Sequence, residues 1–148
     1  MTAALGAALP LAPLVVALIG LLLPPSSRRL GGLLGILGAL VAFVVAIVLA
    51  ATVDGLVERS WATYDFGGIG VDLAVRLNPA AAYVAVAVGT VALAVQLYST
   101  AYLADDDRYA PYAAQVSLFT AAMLLVVVSG DLIVLLVDWE AMGICCTC

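Results

Sequence analysis

Four stretches without one charged side chain leave this sequence few ways to fold. Residues 8–24, 30–53, 80–103 and 112–130 contain no Asp, Glu, Lys or Arg, and as helices they are long enough to cross ~30 Å of hydrocarbon. A fifth apolar segment, 132–148, carries two carboxylates, Asp138 and Glu140. Its roughly 17 residues reach only ~25 Å at 1.5 Å per residue, so it barely spans and reads as cut rather than finished. With 66% of the side chains apolar and a mean hydropathy of +1.24, a water-soluble globule would expose far more hydrocarbon than such surfaces tolerate. The expected fold is an all-α integral membrane protein, one membrane region over residues 1–148, with four complete transmembrane helices and a truncated fifth. The first segment has no charged leader and Pro10 and Pro13 interrupt its start, so it is expected to be a retained helix and not a cleaved signal.

Charge and ligand chemistry exclude several functions. The net charge is −5 and Lys is absent, whereas binding nucleic-acid phosphates needs clustered cations, so no nucleic-acid partner is expected. His is absent too, and Cys145, Cys146 and Cys148 crowd one end without a second cluster. Neither a zinc site nor a four-cysteine iron–sulfur site can be built from that set, and the thiols read as small packing residues. The glycine fingerprint of a dinucleotide fold is also missing. The expected cofactor and metal complement of the chain is therefore none, and no soluble small-molecule substrate is expected to bind it.

Orientation follows from the cations. Arg28-Arg29, in the tight loop after Pro24-Pro25-Ser26-Ser27, are the only paired ones, and short Arg-rich loops stay cytoplasmic. This sets the N-terminus outside, the 54–79 loop outside, the Asp105-Asp106-Asp107-Arg108 loop inside and the Ser129-Gly130-Asp131 turn outside. The 54–79 loop has structure of its own. From Ile69 to Leu77 apolar residues alternate with Gly70, Asp72, Ala74 and Arg76, the pattern of a half-buried strand. Trp61 to Phe66 precedes it across Gly67-Gly68, a dipeptide suited to tight reversal, so a β-hairpin over about 60–77 is expected on the external surface. It can be a lid over the helix ends or a docking ribbon for a neighbouring subunit, and the lid is the simpler use.

Gly31, Gly35 and Gly38, among many alanines, permit close helix approach in lipid, where packing drives association. Gln96, Tyr98, Ser99 and Thr100 add polarity to the end of the third segment, and Gln115, Ser117 and Thr120 to the fourth. They could line a hydrated path, but hydrogen bonds between helices are the expected use. Glu140 is different. It lies eight residues into the fifth segment, ~12 Å deep and near the middle of the hydrocarbon layer. A carboxylate there favours its neutral form unless a cation or water chain accompanies it, which is the poise a proton relay requires. A protonated Glu140 bonded to a neighbouring backbone is the structural alternative. Asp138 lies about 200° away around the helix, so the two acids form no shared pair. It is read as water-facing or as a peculiarity of this sequence.

Several stretches carry a family resemblance. Val95-Gln96-Leu97-Tyr98-Ser99-Thr100-Ala101-Tyr102-Leu103, an acidic loop, Arg108-Tyr109-Ala110, Ser117-Leu118-Phe119, Met123-Leu124-Leu125-Val126 and Trp139-Glu140-Ala141-Met142-Gly143 recur in order. They resemble the N-terminal part of the antiporter-like membrane subunit, chain 5 or L, of proton-pumping NADH:quinone oxidoreductase. Trp-Glu followed by Met-Gly is more like that complex than the related multisubunit cation/proton antiporter. The resemblance implies that the family's counterpart of Glu140 pairs with a lysine further along its chain and modulates that lysine's proton affinity; this sequence holds the modulating acid and no lysine. It also implies other membrane subunits as partners and a multi-pass place in a prokaryotic plasma membrane. The chain differs from the family pattern at Cys146, Thr147 and Cys148, at Asp138, where an uncharged residue is common, and at Asn78, where an Asp often opens the third helix. Three functions compete: a non-redox subunit of the proton-translocating oxidoreductase, favoured; a cation/proton antiporter subunit; and a truncated, non-functional fragment.

Overall fold

The computed structural model describes residues 2–22, 28–65, 70–103 and 109–147. It holds five helices and one hairpin: α1 (Thr2–Leu22), α2 (Arg28–Thr52), β1 (Val57–Asp65), β2 (Gly70–Leu77), α3 (Pro79–Tyr102), α4 (Tyr109–Val128) and α5 (Leu132–Thr147). The first four helices are long and apolar enough to cross a membrane, and α5, at 16 residues, reaches about 24 Å. The architecture is the expected one, four complete membrane helices with a short fifth and a hairpin between α2 and α3. The Gly67-Gly68 reversal, the acidic loop at 105–108, Ser26-Ser27 and Cys148 lie outside the described residues.

Helix α1 begins earlier than expected and runs through Pro10 and Pro13. Each proline removes an amide donor from the helix ladder. Membrane helices tolerate this where neighbouring protein surrounds the freed backbone, and here Leu9 and Pro13 are fully buried. The prolines therefore sit inside the bundle and leave the helix unbroken.

Small residues draw the helices together. In α2 the buried residues Ala39, Ala42, Ala46 and Leu49 recur every three or four positions, as do Ala82, Ala85, Gly89, Ala92, Gln96 and Ser99 in α3. These stripes face the interior, and α4 lies at its centre, touching every other helix. Gly89 meets the backbone of Phe43 so closely that an added Cβ would lie 3.0 Å from its Cα. Leu33, Leu37, Val44, Val84 and Val91 point outward, as a lipid-facing surface requires. Stacked Tyr98 and Tyr102, centroids 5.4 Å apart, are exposed near the end of α3, the amphipathic girdle position where aromatics favour the headgroups.

An isolated two-stranded hairpin is marginal in water, and this one is held by the bundle. Its antiparallel register pairs Val57 with Leu77 and Asp65 with Gly70, with a shift between Ser60 and Ala62 that leaves Trp61 as the extra residue. Leu77 is fully buried among Leu9, Leu49, Val53, Leu124 and Val128. At the free edge of β2, Val75 bridges to Ser129 and the Gly130 amide donates to the Ala74 carbonyl at 2.9 Å. The outward pair Glu58–Arg76, 2.7 Å apart and half-exposed, adds at most ~1 kcal/mol. β2 thus covers the ends of the chain's own helices, as a lid does.

Caps set where the helices leave that lid. Asn78 accepts the Ala81 amide through Oδ1 at 2.7 Å, with Pro79 following, the N-cap and first-turn chemistry that starts α3. Asn serves this role as well as Asp does. Asp131 accepts the Ile133 amide at 2.7 Å and opens α5.

Candidate functional site

Position along α5 decides what each of its acids can do. Val134, Leu135, Asp138, Ala141, Met142 and Cys145 are buried or half-buried, while Leu136, Val137, Trp139, Glu140, Gly143 and Ile144 are exposed. The covered residues recur every three or four positions and form one stripe. Among the helices α5 packs against α4, with β2 touching it as well, so that stripe is its seam with the bundle. Glu140 stands on the opposite, uncovered face beside Trp139, which is 62% exposed.

Asp138 stands at the centre of the seam, only 7% exposed, and its Oδ2 has no hydrogen-bond partner among the described residues. The expectation that Asp138 faces water is therefore overturned. The two acids do point apart as the helical angle requires, one into the seam and one out of the bundle. The signal is present in the sequence, since 134/135, 138, 141/142 and 145 follow a 3–4 spacing, whereas depth and the family resemblance both single out Glu140.

The arginines offer neither acid a partner on the adjoining helices. Arg59 and Arg76 belong to the strands, Arg28 and Arg29 start α2, and Arg108 precedes α4. Glu140 thus presents a carboxyl, with no cation from α3, α4 or α5, to whatever covers the free face of α5.

A second polar locus lies inside the bundle. Gln96 is 1% exposed, and its Nε2 donates to the Ala113 carbonyl at 3.1 Å and to Ser117 Oγ at 3.2 Å, tying α3 to α4. Gly35 of α2 makes room for it, because a Cβ there would lie 2.7 Å from Gln96 Oε1. Ser117 and Thr120 bond carbonyls of their own helix, and Ser99 does so while also reaching the Tyr112 hydroxyl at 3.4 Å. Gln96 makes the expected interhelical bond; the hydroxyls are largely satisfied at home. Gln96→Leu should lower bundle stability by roughly 0.6–1.7 kcal/mol, the range for hydrogen bonds between membrane helices. Reversible unfolding in detergent would measure it, and an unchanged midpoint would mean that the bond carries no net energy.

Between α3 and α4, a groove of about 490 Å³ is lined by Val91, Val95, Tyr112, Gln115, Phe119 and, from α5, Cys145. It belongs to the seam side of α5, away from Glu140.

Residues 61–113, from β1 through the first turn of α4, match the family model for the N-terminus of chain 5 of NADH-ubiquinone oxidoreductase, complex I. The chain belongs to this family. Among chain 5 relatives, NAD(P)H-quinone oxidoreductase subunit 5 of the chloroplast of Anthoceros angustus is 32% identical over 92% of this chain and 20% of its own length. NADH-quinone oxidoreductase subunit L of Mycobacterium tuberculosis is 33% identical over 93% of this chain and 22% of its own. A probable inorganic carbon transporter subunit of Halothiobacillus neapolitanus is 31% identical over 92% of this chain and 24% of its own. The chain spans about a fifth of the length of these relatives. It is a multi-pass membrane region of the chain 5 type.

Proposed function

We propose that this chain forms the N-terminal membrane part of a proton-translocating subunit of a respiratory NADH:quinone oxidoreductase. In that complex it contributes no redox centre, and electron transfer belongs to partner subunits. The observation that carries the reading is Glu140, a carboxyl on the uncovered face of the short apolar helix α5, in a chain that matches the chain 5 family model over residues 61–113. An acid costs at least roughly 2.5–3.5 kcal/mol at bilayer depth, and such residues mark proton and ion pathways. On this reading the free face of α5 meets a segment or subunit that brings an ammonium. Moving a carboxylate toward or away from that ammonium in low dielectric loads and releases its proton.

The Halothiobacillus relative, a probable inorganic carbon transporter subunit, favours a second reading, in which the same type of region serves a transporter; a cation/proton antiporter belongs to that class. Deleting the gene separates them. Loss of NADH-driven proton uptake into inverted vesicles, together with NADH:quinone reductase activity, supports the respiratory subunit. Unchanged NADH oxidation with a new requirement for high inorganic carbon, or with lost cation/proton exchange, supports the transporter class.

We further propose that Arg28-Arg29 face the cytoplasm of a prokaryotic cell and that the hairpin is external. After removal of the native cysteines, Ser60→Cys, exposed on β1, should react with an impermeant thiol reagent in intact cells, and Ser27→Cys should not. The opposite labelling would invert the topology.

A further inference from the structure

Asp138 plays no part in the role proposed for Glu140, and its position raises a separate question. It is a carboxyl at the middle of the α4–α5 seam, ~9 Å along α5 from Leu132, 7% exposed, with Oδ2 unpartnered among the described residues. The elements packed against α5 supply it no counter-charge. Helix α4 contains no Asp, Glu, Lys, Arg or His, and its titratable side chains are Tyr109 and Tyr112, both near its start. On β2, Asp72 and Arg76 lie in the hairpin beyond the other end of α4, and Arg76 is paired with Glu58. On α5 itself, Glu140 points out of the opposite face and Cys145 follows two turns on.

An ionised carboxylate enclosed in hydrocarbon without a cation pays a desolvation cost that, in practice, is relieved by taking up a proton. A metal ion would need several further oxygen or nitrogen ligands, and the stripe around Asp138 offers Val134, Leu135, Ala141 and Met142. The ligand that fits a single, enclosed, unpaired carboxyl is the proton. We propose that Asp138 is a proton-binding site of the α4–α5 seam, occupied at neutral pH, with Oδ2 as the atom left open to hold the proton. The site is independent of the Glu140 reading, because the two acids face opposite ways and Asp138 would hold its proton whether or not the chain belongs to a redox-driven pump.

The test is infrared spectroscopy of membranes containing the full chain, comparing the native protein with Asp138→Asn. The proposal expects the variant to lose one carboxylic-acid C=O band that shifts in D2O, with its carboxylate bands unchanged. Loss of carboxylate absorption, with every acid band retained, would overturn it. If Asp138→Asn fails to accumulate, Asp138→Glu decides the matter, because it moves the same band to a new frequency: a displaced acid band supports the site and a displaced carboxylate band refutes it. Glu140→Gln serves as the reference for the other acid, and its loss of signal should be additive with that of Asp138→Asn.

Discussion

Gly89→Leu should destabilise the bundle by roughly 1–3 kcal/mol, the usual cost of forcing added volume into a packed interior. The new Cβ would lie 3.0 Å from the Phe43 Cα and 3.4 Å from its side chain. A backbone atom inside a helix cannot step aside as a flexible side chain can, so α2 and α3 would have to separate along stripes built for contact. Among membrane helices that separation is especially harmful, because close backbone packing supplies much of the association energy. The control is Gly55→Ala, where an added Cβ meets nothing within 4 Å. Thermal unfolding in a mild detergent should show a clear drop in midpoint for Gly89→Leu and almost none for Gly55→Ala. Equal midpoints for the two variants would mean that the α2–α3 contact does not hold the bundle.

Much of the fold was legible because length and charge constrain membrane segments so strongly. Uncharged runs located α2, α3 and α4 to within a few residues, and strict alternation from Ile69 to Leu77 located β2. The start of α1 was harder, since Pro10 and Pro13 read locally as breakers while their effect depends on the surrounding helices. The docking of β2 was invisible for a related reason. Leu77 entering the core and Gly130 bonding to Ala74 are contacts between segments far apart in sequence. The lid could be weighed against a docking ribbon, but only tertiary geometry shows what β2 covers.

The candidate acids separated along the same line. Depth in the membrane picked out Glu140, and the helical angle placed Asp138 away from it. Neither quantity says which of two opposite faces packs on α4. The 3–4 spacing through Asp138 and Cys145 carried that information, as the apolar seam of an amphipathic helix does. It is easily missed in a segment where nearly every position is hydrophobic and the seam has little contrast with the lipid face.

The role of Glu140 makes the largest functional prediction. In the full-length subunit carrying this N-terminus, Glu140→Gln should leave assembly intact, because the amide keeps the size and shape of the side chain. Proton translocation should nonetheless fall severely, since the amide cannot alternate between charge states next to a proton-carrying cation. Glu140→Asp keeps the charge with a shorter reach and should be milder. Asp138→Asn should do little to pumping, because its side chain points into the seam with α4 and already holds the shape of a neutral group.

Protons moved per NADH oxidised in inverted vesicles put that claim to the most direct test, with native protein, Glu140→Gln and Asp138→Asn at matched expression. The account predicts a deep loss of pumping for Glu140→Gln and near-native pumping for Asp138→Asn. Normal pumping by Glu140→Gln, or greater damage from Asp138→Asn, would contradict it.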